Sequence, residues 1–145
     1  MSKLKKIFKE KSSRLCSVYF TSGFPNLNDT ATVVKNLQEA GVDFLEVGLP
    51  YSDPMADGPT IQDSSSIALA NGINLDIIFN QLASIKEEVT IPLLAMGYFN
   101  QVVKYGEDKF CQKCKEVGIE TLVLPDMPMI EYETHYKDLF AKYGL

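Results

Sequence analysis

The sequence contains no tryptophan, a single histidine, three cysteines and no apolar run close to the roughly 20 residues needed to span a bilayer. A net charge of -5 argues against a nucleic-acid or anionic-membrane surface as the main role. The lysine-rich start lacks the apolar core of a signal peptide, and an odd number of thiols without disulfide spacing fits a reducing compartment. We therefore expect a soluble cytoplasmic protein that binds neither nucleic acid nor membrane.

The scarce cysteines and histidine do not indicate a metal or redox centre. Cys111 and Cys114 form a Cys-x-x-Cys pair, but Phe110 and Val117 recur with them at helical spacing. This spacing predicts that both thiols lie on the buried side of a helix. No second cysteine pair and no nearby histidine completes a zinc site, and His135 lies among polar residues of the last predicted helix, where we expect it to be solvated.

The apolar residues that are present follow a regular alternation of strands and helices. Short, nearly continuous apolar runs predict strands at 15–21, 44–49, 93–98 and 121–126. Helical periodicity and capping residues predict helices at 3–14, 28–40, 61–70, 74–89, 106–117 and 129–143, with Asn28 and Asn74 as N-caps. The first of these is amphipathic and basic, and we expect it to cover one end of the domain. A length of 145 residues fits one domain, 1–145.

Four strand-then-helix units predict a parallel sheet covered by helices, with the strands side by side in sequence order. The pattern fits either an open doubly wound sheet or part of a barrel. A dinucleotide-binding fold loses its main support because the first strand-to-helix turn has only one glycine, Gly23, and no Gly-x-Gly-x-x-Gly motif.

Residues 44–60 carry the strongest chemical signal in the chain. The stretch begins as a buried strand and breaks into turns rich in proline and aspartate. Alternation places Glu46 in an otherwise apolar layer, where an unpaired carboxylate is costly, so it is paired, protonated part of the time, or retained for chemistry. Asp57 lies on the loop after the same strand. In the simpler alternative Glu46 caps a nearby helix or pairs with a lysine, and Asp53 and Asp57 are ordinary turn residues.

Residues 46–62 resemble the signature of the tryptophan synthase alpha subunit, Glu-x-Gly-x-Pro-aromatic-Ser-Asp-Pro-x-Ala-Asp-Gly-Pro-x-Ile-Gln. The resemblance continues at 19–21, 96–100 and 124–128, and it covers the N-terminal half of that family's length. It implies a TIM (βα)8 barrel of the α/β class, of which this chain supplies about four βα units, a half barrel. It also implies a lyase of tryptophan biosynthesis that cleaves indole-3-glycerol phosphate to indole and glyceraldehyde 3-phosphate. That reaction uses no cofactor, and pyridoxal phosphate is expected only in the beta subunit of an alpha2-beta2 complex.

The resemblance also implies roles for individual residues. Glu46 is the acid-base residue, and Asp57 accepts a hydrogen bond from the indole N–H and stabilises the positive charge that develops there. The positions that wall the indole ring are Tyr19, Met96, Tyr98, Val123 and Pro125. The positions expected to touch the beta subunit are Ser52, Asp53, Pro54 and Met55.

The family's phosphate-binding residues and the loop that closes its site are absent from these 145 residues. The family binds the substrate phosphate after strands seven and eight and closes the site with a loop after strand six, so we expect this chain alone to be close to inactive. Unpaired strand edges at 15–21 and 121–126 suggest self-association of the half barrel.

Two alternative functions stay open. One is another phosphate-handling barrel isomerase or aldolase, although no lysine lies in a predicted strand, and the other is a non-catalytic interaction module.

Overall fold

The computed structural model of the chain describes residues 2–145. Its centre is one sheet of four parallel strands in the order β1-β2-β3-β4, which confirms the predicted order and direction. The strands are β1 Ser17–Thr21, β2 Phe44–Gly48, β3 Leu93–Met96 and β4 Ile119–Val123. All four carboxyl ends therefore lie at one edge of the sheet, the edge at which sites gather in parallel barrels.

Helices connect and cover these strands, as the alternating pattern predicts. They are α1 Lys3–Glu10, α2 Thr30–Glu39, α3 Pro59–Ala70, α4 Leu75–Ile85, α5 Phe99–Tyr105, α6 Glu107–Val117, α7 Met129–Glu131 and α8 Lys137–Tyr143. A 3-10 turn, Lys86–Glu88, follows α4, and one π-helical segment, Tyr132–Tyr136, joins α7 to α8. Within residues 2–145, none of these helices combines the length and the apolar character needed to cross a membrane.

Several bounds differ from the sequence-based expectation. Strand β1 begins at Ser17 rather than at residue 15, β3 ends at Met96 rather than at residue 98, and α4 ends at Ile85 rather than at residue 89. Helix α1 ends at Glu10 rather than at residue 14, because Lys11 already has an extended backbone. Asp29 rather than Asn28 precedes α2, and its carboxylate bonds to Asn26 instead of capping the helix. Strand β4 begins and ends earlier than predicted, because the chain turns at Pro125. Helix α5 was not predicted at all.

The two faces of the sheet have different roles. Leu45 and Val47 of β2, with Leu93 and Ala95 of β3, point to the helices and are almost completely buried. The core between sheet and helices also contains Val34, Phe79, Leu82, Phe110 and Cys114. Cys111 and Cys114 are both buried, as the helical spacing predicts, and His135 is exposed. Register and alternation leave Tyr19, Glu46 and Met96 on the opposite, inner face.

Helix α1 covers the amino-terminal end of this inner face, as expected. The Phe8 ring lies 5.9 Å from the Phe44 ring, centroid to centroid. The Lys3 backbone N–H donates to the Glu120 carboxylate at 2.8 Å, and Lys11 forms an ion pair with the buried Asp43. These contacts leave the carboxyl end of the inner face as the open end.

Candidate active site

A pocket of about 310 Å³ opens at the carboxyl edge of the sheet, between the loops that follow β2, β3 and β4. Its volume is within the usual range for a small-molecule site. The wall consists of Tyr19, Leu49, Tyr51, Ala56, Asp57, Ser65, Met96, Gly97, Tyr98, Pro125 and Asp126. Most of these side chains are apolar or aromatic, so the pocket suits a flat apolar ring with one or two polar groups.

Asp57 enters this pocket from the loop between β2 and α3. The Tyr98 hydroxyl donates to Asp57 Oδ2 at 3.2 Å and accepts from the Ala56 backbone N–H at 3.0 Å. Tyr51 stacks on Tyr98 with 5.0 Å between ring centroids, and Gln62 Nε2 donates to the Asp57 carbonyl oxygen at 2.8 Å. The carboxylate is therefore held at the pocket wall by its own loop and by the loop after β3.

Glu46 lies on the inner face of β2, in register with Tyr19 on β1 and Leu94 on β3. Its Oε1 accepts a hydrogen bond from Ser17 Oγ at 2.7 Å. Among residues 2–145 no lysine, arginine or histidine forms an ion pair with Glu46, so the simpler alternative of a lysine partner is wrong for the described chain. Glu46 does not line this pocket, and its Oε1 is hydrogen-bonded to Ser17 at the amino end of β1.

Tyr19 lies beside Glu46 and in the same pocket as Asp57. It pairs in register with Glu46 and also lines the pocket that contains Asp57. Burial raises the pKa of Tyr19, a hydrogen bond with Thr21 opposes this, and the charges of Asp57, Tyr98 and Glu46 raise it further. The phenol therefore stays protonated at neutral pH within electrostatic reach of both carboxylates. Gly48 makes room for the ring, since a Cβ there would overlap the Tyr19 phenol.

The structure brings together most of the residues predicted to wall the site. Tyr19, Met96, Tyr98 and Pro125 line the pocket. Val123 does not, although it ends β4 in register with Met96. The turn that follows β4 places Pro125 and Asp126 at the wall in its place.

Sequence reasoning missed three polar contributors to the wall. Tyr51 and Asp126 lie within the family motifs at 46–62 and 124–128, so the resemblance could have identified both as wall residues. Ser65 is only 3% exposed and comes from α3, whose weak amphipathic pattern gave no indication that this position faces a pocket.

The loop predicted to contact a partner lies outside the pocket wall. Ser52, Asp53 and Met55 are exposed, Met55 to 92%, and Pro54 is half-buried. Ser52 Oγ donates to the Asp53 carboxylate at 2.6 Å. Over residues 2–145 no group of three histidine, cysteine, aspartate or glutamate side chains is placed to hold a metal ion.

A parallel sheet in sequence order, helices on its outer face and a pocket at the carboxyl ends of the strands define the (βα)8-barrel class, of which this chain supplies four units. Residues 4–145 match the family model of the tryptophan synthase alpha chain. The chain belongs to the tryptophan synthase alpha chain family.

Individual relatives agree with this assignment. The tryptophan synthase alpha chain of Flavobacterium johnsoniae is 52% identical over 136 residues, which are 94% of this chain and 54% of the relative. That of Parabacteroides distasonis is 45% identical over all of this chain and 56% of the relative. The crystal structure of the alpha subunit from Legionella pneumophila shares 35% identity at a TM-score of 0.90, covering 99% of this chain and 54% of that one. The chain thus spans about half the length of the curated relatives it matches.

Proposed function

We propose that this chain is the N-terminal half of a carbon-carbon lyase that cleaves indole-3-glycerol phosphate to indole and glyceraldehyde 3-phosphate. Membership of the family supports the proposal. The observation that carries it is the joint placement of Asp57 and Tyr19 in one pocket at the carboxyl edge, with Glu46 in register beside Tyr19.

The chemistry needs an acid and a base in this place. Indole is a poor carbanion leaving group, so C3 of the ring must first receive a proton, which the Glu46 carboxylic acid supplies. The carboxylate formed in that step then helps to remove the proton of the substrate hydroxyl next to C3. The O–H electrons become the aldehyde C=O, the bond between C3 and the side chain breaks, and its electrons restore the aromatic ring. No oxidant, reductant or metal is required.

Asp57 supports the same step from the other side of the ring. Protonation of C3 leaves a positive charge on the ring nitrogen, and a fixed carboxylate that accepts the N–H stabilises this charge. Tyr98 holds Asp57 Oδ2 at 3.2 Å, so the acceptor is oriented before substrate arrives. Tyr19, Met96 and Pro125 supply the apolar wall.

The beta subunit of tryptophan synthase is the proposed partner, in an alpha2-beta2 complex, and pyridoxal phosphate would belong to that subunit rather than to this chain. The exposed loop of Ser52, Asp53, Pro54 and Met55 is the proposed contact surface. Three free cysteines, two of them buried, agree with action in the reducing cytoplasm.

The phosphate of the substrate needs backbone N–H groups or a basic nest, and the family draws these from its second half. We therefore propose that residues 1–145 by themselves are close to inactive. Strands β1 and β4 each present one unpaired edge in the described sheet, so the 145-residue polypeptide by itself is expected to self-associate. Size-exclusion chromatography with light scattering tests this, and a monodisperse monomer would contradict it.

Indole release from indole-3-glycerol phosphate tests the proposal. The 145-residue chain is compared with a version extended past Leu145 by the second half of the Flavobacterium johnsoniae alpha chain, each with and without a beta subunit. We expect release from the extended protein and little from the short one. A folded extended protein that releases no indole in either setting would contradict the proposal.

A further inference from the structure

The Glu46 carboxylate accepts a hydrogen bond from an exposed hydroxyl on the neighbouring strand. Ser17 opens β1, two residues before Tyr19, so alternation places Ser17, Tyr19 and Glu46 on the same inner face. Ser17 Oγ donates to Glu46 Oε1 at 2.7 Å. The donor therefore approaches the carboxylate from the amino-terminal side, opposite to the pocket.

Within residues 2–145, no other side chain forms a hydrogen bond or ion pair with the Glu46 carboxylate. No basic side chain there forms an ion pair with Glu46, and the hydrogen bond from Ser17 is the one that the described side chains give to its carboxylate. At 2.7 Å the contact has the ordinary length of an O–H···O hydrogen bond. The bond therefore occupies one oxygen, Oε1, and leaves Oε2 without a partner among the described side chains.

We infer that Ser17 is a positioning residue for Glu46, an inference that rests on the function proposed above. By holding Oε1, Ser17 leaves Oε2 as the oxygen that exchanges protons with the substrate. Ser17 itself touches neither the pocket wall nor, in this scheme, the reacting atoms. Its effect should appear in the rate of the chemical step and not in substrate binding.

Kinetics of the extended protein test the inference with three variants. Ser17→Ala removes the hydroxyl, Ser17→Thr keeps it, and Ser13→Ala removes an exposed hydroxyl that makes no contact with Glu46. Loss of a hydrogen bond to a charged group should lower kcat of Ser17→Ala about tenfold and change KM less than about twofold. Ser17→Thr should recover most of the rate, and Ser13→Ala should match the parent.

An infrared measurement on the 145-residue chain tests the contact without activity. The carboxylate band of Glu46 is isolated as the difference between spectra of the chain and of Glu46→Gln. We expect this band to shift in Ser17→Ala and to return in Ser17→Thr. An unmoved band would overturn the inference.

The two experiments separate the possible failures. Equal loss of kcat in Ser17→Ala and Ser17→Thr, or a loss expressed in KM alone, would overturn the positioning role while the proposed function stands. Absence of indole release from the parent protein would overturn the proposed function and the positioning role with it, and the infrared shift would still report whether the contact exists.

Discussion

Replacing Gly48 with alanine tests how closely β1 and β2 approach at the site. A Cβ at this position would lie 2.6 Å from the carbonyl oxygen of Phe20 and closer still to the Tyr19 phenol. The Phe20 oxygen belongs to the backbone of β1 and cannot rotate away, so the strand pair must separate here and Tyr19 must also shift. Adding a methyl group to so tight a site costs about 1–3 kcal/mol of unfolding free energy.

Gly58 provides a matched control. It precedes α3 with a φ of -75°, and a Cβ built there meets nothing within 4 Å. At such a position the lower entropy of the unfolded chain is worth about 0.4–1 kcal/mol, which offsets the roughly 0.5–1 kcal/mol by which glycine is a better N-cap than alanine. Gly58→Ala should therefore unfold at nearly the same urea concentration as the parent.

Urea denaturation followed by circular dichroism measures both variants, and indole release is measured on the same substitutions in the extended protein. We expect Gly48→Ala to lose about 1–3 kcal/mol of unfolding free energy and most of its activity, because Tyr19 lines the pocket and borders Glu46. Equal stability of the two variants, with activity retained in both, would refute the close approach of Tyr19 and Gly48.

Two further predictions concern the pocket loop and the thiols. Tyr98→Phe removes the hydroxyl that holds Asp57, and it should cost about 1–2 kcal/mol in urea denaturation and weaken indole binding in calorimetry. A variant with both values unchanged would argue against that hydrogen bond. Burial raises the pKa of Cys111 to about 11 from its ordinary value of 9.0, and burial also raises the pKa of Cys114. A thiol reagent at pH 8 should thus modify the exposed Cys16 first, and equal rates for all three would contradict the buried helix face. Since the folded chain binds the Cys111 proton more tightly than the unfolded chain, stability should fall as the pH rises from about 9 to 11.

Local patterns were enough to predict the sheet. Each strand is a short apolar run bounded by turn residues, and parallel strands with helical crossovers take sequence order. The burial of Cys111 and Cys114 likewise follows from helical spacing alone. These features are determined by residues close together in the sequence, so a local pattern is enough to predict them.

Distant contacts explain what the sequence did not reveal. Helix α5 starts where the Asp126 carboxylate accepts the Phe99 backbone N–H at 2.8 Å, so its first turn is capped from another loop, 27 residues away. The partner of Glu46 was expected to be a lysine or a substrate, but it is Ser17, 29 residues earlier. Neither contact has a local signature, because each depends on how neighbouring βα units pack.

The most direct test of the central claim compares Glu46→Gln with Glu39→Gln in the extended protein. Glu39 is an exposed carboxylate at the end of α2, remote from the pocket wall, so its variant controls for the loss of one negative charge. Glu46→Gln should lower single-turnover indole release by about a hundredfold or more, as expected for loss of a general acid-base residue, while Glu39→Gln should match the parent. Indole release from Glu46→Gln at the rate of the parent protein would contradict the account.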